Sequence, residues 1–187
     1  MNFIYRIEDA IFRPIDRLLD GAVMTTFARL IFFAVLAVFF WKSGLTKLGD
    51  GIGGIVNLSV GAYAQILPQA MEAAGYDPTQ LSGLQRIIVL LGTWGEFIFP
   101  ALVVLGLFTR SASLAMVGFI IVMSIVDIFG HSADGETIGR WFDGSPYSII
   151  LDQRVFWIFL LLYLVMRGAG PFSIDHWLRN RRRYEDY

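Results

Sequence analysis

Cysteine is absent from this chain. Its absence excludes a disulfide, a thiol relay, a thiolate-bound metal and covalent attachment of a c-type haem within the chain. Histidine is scarce, at 2 residues. Charge is scarce as well: Asp, Glu, Lys and Arg make up 17% of the residues, against about 25% in a soluble domain. Apolar residues reach 56%, so the surplus apolar surface needs a neighbour other than water, and lipid is the simplest one. No Gly-rich phosphate loop, nucleophile elbow or metalloprotease motif is present. No long internal repeat or low-complexity tract occurs. The stretch Met1–Asp20 mixes Arg and Asp among apolar residues and holds no continuous apolar run, so a cleaved signal peptide is not expected there.

What is present is a set of long apolar segments within one domain of 187 residues. A helix needs about 20 apolar residues to cross about 30 Å of hydrocarbon. Four segments meet that length, at about 26–45, 87–108, 112–129 and 147–166. Backbone in lipid must satisfy its own hydrogen bonds, so these segments read as helices. The expectation is an all-α integral membrane four-helix bundle. Residues 1–21 differ: Phe3, Ile4, Ile7, Ile11, Ile15, Leu18 and Leu19 recur at helical spacing among charged residues. They predict an amphipathic helix in the membrane interface, broken or bent at Pro14. Gly51 to Met71 is moderately apolar but rich in glycine, and reads as a helix lying on the bundle or at the interface rather than a fifth span.

Placement of Lys and Arg sets the orientation. With four spans, Arg6, Arg13, Arg17, Arg29, Arg110, Arg167, Arg179 and Arg181 to Arg183 fall on one side. Lys42, Lys47, Arg86, Arg140 and Arg154 fall on the other. The richer side is expected to be cytoplasmic and to hold both chain ends, with 167–187 as a basic tail at the anionic inner surface of a bacterial cytoplasmic membrane. So short a basic run does not suggest a nucleic-acid partner. Thr109 to Ser111 reads as the tight turn between the second and third spans, with Thr109 and Arg110 capping it.

Three local patterns carry a family resemblance. Arg29 is followed by an apolar helix and then Ser43-Gly44-Leu45-Thr46-Lys47-Leu48. Glu96 lies in a helix that ends Leu105-Gly106-Leu107-Phe108-Thr109-Arg110. Near the end stands Gly168-Ala169-Gly170-Pro171-Phe172-Ser173-Ile174-Asp175. In this order and spacing the chain resembles the DoxX family of small four-helix membrane proteins over about Ala28 to Asp175. The resemblance implies a membrane subunit tied to redox metabolism. Some relatives are subunits of a thiosulfate:quinone oxidoreductase, and others work beside superoxide-detoxifying and sulfur-transfer enzymes.

Ionisable residues inside spans cost about 2.5–3.5 kcal/mol each at mid-helix on insertion scales, and here they gather. Glu96 lies about 15 Å along its helix from Arg86 at 1.5 Å per residue, near mid-membrane. Asp127, Asp152 and Arg154 lie toward the outer ends of their helices, and Lys47 follows the first span on the same side. His131 falls one turn beyond Asp127 if that helix continues. The functional reading is an outward-opening polar cavity lined by Lys47, Glu96, Asp127, His131 and Arg154, with Trp94, Trp41 and Phe99 as flat walls. Such a cavity suits proton exchange with a quinol or another small substrate. The structural reading is that Glu96 and Asp127 pair with Arg154 or Lys47 to fix helix register. The two readings are compatible.

His131 and His176 follow opposite ends of spans, so an internal haem held by both is not expected. His131 with Asp127, Asp134 or Glu136 has the make-up of a metal site, yet solvation explains such a loop equally, and no metal is assigned. Gly168 to Pro171 reads as a helix stop, with Ser173 or Asp175 capping the segment that follows.

Three functions stay open. The first is a membrane subunit of an oxidoreductase system, engaging a quinone and a partner enzyme. The second is a non-catalytic anchor or assembly module for a redox or stress-response partner. The third is a small transporter, which four helices serve poorly unless the protein forms a homo-oligomer. Membrane lipids are partners under each, and catalysis itself is left undecided.

Overall fold

The computed structural model describes residues 2–19 and 21–185. Among them every regular element is helical. Asp20 and the side chains of Phe3, Ile4, Arg17, Leu18, Arg182 and Arg183, which entered the sequence reading, lie outside the described residues.

The chain opens with α1 (Asn2–Leu18). It is one continuous helix across Pro14 rather than two pieces. The carbonyl of Ala10, which Pro14 cannot serve, sits on an exposed stretch where surroundings can satisfy it. Tyr5, Ile7, Ile11, Phe12, Ile15 and Leu19 are all exposed.

Four helices follow that are long and apolar enough to cross a membrane: α2 (Gly21–Leu45), then after two short helices α5 (Gly83–Leu105) and α6 (Thr109–Gly130), and finally Ile149–Arg167. The short pair is α3 (Val60–Ile66) and α4 (Pro68–Ala73). A single turn, α7 (Gly135–Ile138), precedes the last span, which is therefore α8, and α9 (Ile174–Glu185) closes the chain. The spans begin earlier than expected at α2 and α5. Ser82 explains the second case. Its hydroxyl accepts from the Gln85 amide while the Gln85 side chain accepts from the Ser82 amide, a capping box that starts α5 four residues upstream of Ile87.

The turn between α5 and α6 is also displaced. It consists of Gly106, Leu107 and Phe108, and Thr109 is already helical. Gly106 has φ +68°, and a Cβ there would lie 2.5 Å from Ser173 Cβ and 2.8 Å from the Arg29 guanidinium carbon. Only glycine fits that backbone and that space. The segment expected to start anew after Gly168–Pro171, within the basic tail, is a helix over Ile174–Glu185.

Two cores divide the molecule. The larger joins all four spans through Phe32, Leu36, Phe40, Val103, Met116, Ile120, Leu161 and Leu164. The smaller packs Ala62, Tyr63 and Met71 of α3 and α4 against Leu81 and Val89. The glycine-rich stretch therefore does not span. It caps the N-terminal half of α5, held there by the Trp94 indole, which donates to the Ile55 carbonyl at 3.0 Å. Exposed Leu30, Val35, Leu91, Leu114, Val122, Phe156 and Phe159 give the spans an apolar outer surface suited to lipid.

Candidate functional site

Two buried ion pairs tie the spans together. Ser43 and Lys47 stand four residues apart where α2 ends, so their side chains share a face. The Lys47 ammonium donates to both Glu96 carboxylate oxygens at 2.9 Å and 2.9 Å, and to Ser43 Oγ at 2.8 Å. Ser43 Oγ donates in turn to Glu96 Oε1 at 3.2 Å. Side-chain exposure is 3% for Lys47 and 6% for Glu96, so this pair is removed from solvent by the protein itself. Two local features place Glu96. Pro100 lacks the N–H that would meet the Glu96 carbonyl, which loosens α5 at that turn. Gly44 lets α2 approach closely, since a Cβ there would stand 2.6 Å from the Phe97 ring.

The second pair joins α6 to α8. Arg154 Nη2 donates to Asp127 Oδ2 at 2.6 Å and Nη1 to Ser124 Oγ at 2.9 Å. Arg154 is buried, Asp127 half-buried, and Arg154 Nε is buried with no hydrogen-bond partner among the described residues. Asp127 sits in a π-helical turn, Val126–Gly130, and Arg154 directly follows another, Ile149–Gln153. Such wide turns often mark functional positions and rotate the residues beyond them off the α-helical register.

Both pairs line one cavity of about 540 Å³. Its walls come from all four spans and α3: Phe39, Ser43 and Lys47; Ile88, Leu91, Gly92, Glu96 and Phe99; Gly118, Phe119, Val122 and Asp127; Arg154; Gln65 and Ile66. Leu91 and Val122 are exposed where they border it, so the cavity opens sideways between α5 and α6. Its volume suits a small-molecule ligand, its walls are mainly apolar, and its four ionised groups sum to zero charge. That combination fits a neutral apolar molecule bearing hydrogen-bonding atoms better than a free ion.

Of the six residues singled out from sequence, the structure gathers Lys47, Glu96, Asp127 and Arg154 around the cavity and places Trp94 and His131 outside it. Trp94 precedes Glu96 by two residues, about 200° around an α-helix, so its indole turns away toward Ile55. The Trp41 indole donates to the Phe97 carbonyl at 3.2 Å and does not line the cavity either. His131 is exposed and lies beyond the π turn, where its amide bonds the Val126 carbonyl five residues back. Its Nε2 lies 2.9 Å from the Gln65 carbonyl, tying α6 to α3 behind the cavity wall. Among the described residues no three His, Asp or Glu side chains converge as a metal site would require.

The sequence reading missed Ser43, Ser124, Gln65 and Phe119. Ser43 and Ser124 carried a signal, one helical turn before Lys47 and Asp127; Gln65 carried none.

At the opposite end of the bundle a second polar assembly closes the fold. Arg29, buried, donates from Nε to the Val103 carbonyl at 3.1 Å and from Nη1 to those of Ala169 at 2.9 Å and Phe172 at 2.7 Å; Nη2 donates to that of Val104. Asp175 Oδ1 accepts from the Phe108 amide at 2.8 Å, and Oδ2 accepts from the Thr109 amide and hydroxyl at 2.9 Å and 2.9 Å. Asp175 thus caps α6, while Ser173 Oγ accepts from the His176 amide and caps α9. Arg110 reaches the Met166 carbonyl rather than the turn. Partial desolvation raises the Asp175 carboxyl, but the bonds from Thr109 and Phe108 outweigh it and hold the group below the usual carboxylate range.

The DoxX family model matches residues 26–129, more than half of the chain. No curated protein and no solved structure matches the chain.

Proposed function

The chain belongs to the DoxX family of membrane proteins, and from that premise we propose that it is a membrane subunit of an oxidoreductase system that takes a quinone from the lipid phase. The observation that carries this reading is the sideways-opening cavity of about 540 Å³ with both buried ion pairs on its wall. Phe39, Phe99 and Phe119 offer flat apolar contacts for a ring, and the unpartnered Arg154 Nε–H is a buried donor beside them. These residues fit a neutral ring with two carbonyl oxygens.

A quinone, when bound, supplies two-electron, two-proton redox chemistry, with electrons coming from the catalytic centre of a partner enzyme. The residues of this chain do the rest. Arg154, whose Nε–H has no partner among the described residues, is the cation left to orient an oxygen atom by donating to it, while Lys47 spends its donors holding Glu96 and Ser43. Glu96 and Asp127 hold or pass protons, and the packed spans exclude water. The excess of Lys and Arg at the ends of the chain supports both termini lying in the cytoplasm of a bacterial cell, with the spans in its cytoplasmic membrane.

A second reading, a non-catalytic anchor, draws on one observation: each carboxylate is already matched by a cation of the same chain. The test is mass spectrometry of the gently purified protein with its lipids, comparing wild type with Gly118→Leu. Nothing lies within 4 Å of a Cβ built at Gly118, which lines the cavity, so a larger side chain can start there without a backbone clash and narrow the cavity. The quinone reading expects roughly one quinone per chain and at least a tenfold loss in the variant, with thermal stability kept. Absence of quinone from wild type, or equal retention by both, sinks it. A stoichiometric protein partner that also survives Glu96→Gln and Asp127→Asn would make the chain an anchor.

A further inference from the structure

The far end of the bundle holds a cavity that the quinone reading does not use. It measures about 370 Å³ and lies where α9 folds back over the start of α2 and the end of α8. Its position puts it at the level where hydrocarbon gives way to head groups, because α2 begins and α8 ends there. Arg167, His176 and Arg179 stand on its wall, and all three are exposed. Among the described residues the lining includes one acidic side chain, Asp175. Both Asp175 oxygens are already engaged by the amides of Phe108 and Thr109 and by the Thr109 hydroxyl. Asp175 and Arg179 both line the cavity, and Arg179 is near enough to favour the charged form of Asp175. Arg167 has no acceptor among the described residues, and its guanidinium would lie 3.9 Å from a Cβ on Gly21.

Ordinary helix-end chemistry puts some of these charges here. A basic residue in the last turn of α8 favours the negative end of the helix, and basic residues at a cytoplasmic end are ordinary. Neither accounts for two guanidinium groups and an imidazole lining one concave space whose one carboxylate among the described residues is spent on a cap. Guanidinium groups match phosphate oxygens in shape and charge, and a phosphate diester at this depth is what the head group of a lipid presents.

We infer that this cavity is a discrete binding site for a phosphate group, with Arg167 and Arg179 as its principal contacts. The group comes from an anionic lipid head group or from free phosphate. The site is separate from general attraction of the basic end to the membrane, since it predicts one occupant and a defined set of residues.

The experiment uses the full chain in detergent, titrated with phosphatidylglycerol, phosphatidylcholine and inorganic phosphate, with binding read by native mass spectrometry. Wild type should hold one phosphatidylglycerol and release phosphatidylcholine. Each guanidinium is expected to contribute about fivefold, and the Arg167→Gln/Arg179→Gln pair about twenty-five-fold, in apparent affinity. Arg140→Gln, an exposed change in the outer loop, should leave binding unchanged. Displacement of the lipid by millimolar inorganic phosphate would identify free phosphate as a source; retention would identify the lipid. Equal retention of phosphatidylglycerol by wild type and the double variant, or indifference to head-group charge, would overturn the site. Both substituted side chains are exposed, so folding should survive. Should the double variant fail to fold, Arg179→Gln alone decides the question by the same fivefold criterion.

Discussion

Separating the two charges of the Lys47–Glu96 pair is the sharpest perturbation the structure offers. The side chains are 3% and 6% exposed and touch through two contacts of 2.9 Å, with Ser43 bonded to both. Lys47→Met leaves the carboxylate facing Ser43 alone, and Glu96→Leu leaves the ammonium likewise. Breaking a buried pair from one side costs about 3–5 kcal/mol, while replacing both partners with apolar residues is often close to neutral. The surviving group can lower its cost by becoming neutral, so the lower end of that range is expected. A chain of this size changes its midpoint by about 2–4 °C per kcal/mol. Each single variant should therefore melt about 6–12 °C below wild type, and Lys47→Met/Glu96→Leu within about 4 °C of it. The assay is thermal unfolding in one detergent, followed by tryptophan fluorescence, with wild type, both singles and the double in parallel. Additive losses in the double would refute the reasoning, because they would mean that the two charges do not see one another.

Two further outcomes concern the opposite end of the bundle. Gly106→Ala places a Cβ against Ser173 and the Arg29 guanidinium at a φ of +68°, and should cost about 1–3 kcal/mol in strain alone; a thermal midpoint equal to wild type would contradict it. Asp175→Asn keeps the size of the α6 cap but removes its charge and one of the two oxygens that accept from Phe108 and Thr109, and should cost about 1–3 kcal/mol. The Asp175 carboxyl is depressed in the folded chain, so its contribution is complete above the unfolded carboxylate value of about 3.9 and fades as pH falls through the lower folded value. The gap in stability between wild type and Asp175→Asn should accordingly narrow below about pH 4, and a gap that holds constant to pH 2 would argue against the cap.

Much of this architecture was legible because lipid imposes so few solutions. A run such as Leu30 to Phe40 can only be a helix in hydrocarbon, and the cost of burying Glu96, Asp127 and Arg154 singled them out before any partner was visible. Their pairing was not legible. Glu96 could have met Lys47 or Arg154, and the choice depends on where α2 stops relative to α5, a matter of helix offset that no local pattern records. Helix starts were misjudged for a related reason: the Ser82–Gln85 capping box lies in polar sequence that apolar counting passes over. Trp94 was misplaced because nearness in sequence stood in for angle around the helix, and His131 because the α-helical period was extended through a turn that is π. The Arg29 site escaped because its partners are backbone carbonyls, which leave no trace in side-chain identity.

The positions of the three motifs give the family resemblance a physical meaning. The Ser43–Lys47 motif and Glu96 build one buried pair, while Arg29, the Gly106 turn and Gly168–Asp175 build a single lock at the far end. The DoxX match ends at residue 129, yet the matched part is not closed in itself. Arg29 lies within it and spends its Nη1 donor on Ala169 and Phe172, and the first turn of α6 is capped by Asp175. A chain cut after residue 129 would leave a buried guanidinium two acceptors short in a low-dielectric setting, a loss of about 1–3 kcal/mol for each, and would strip the cation from the Asp127 pair as well. The segment after residue 129 thus supplies acceptors, a cap and a cation to the matched part, and the cavity is not complete without it, since Arg154 supplies its wall on the α8 side.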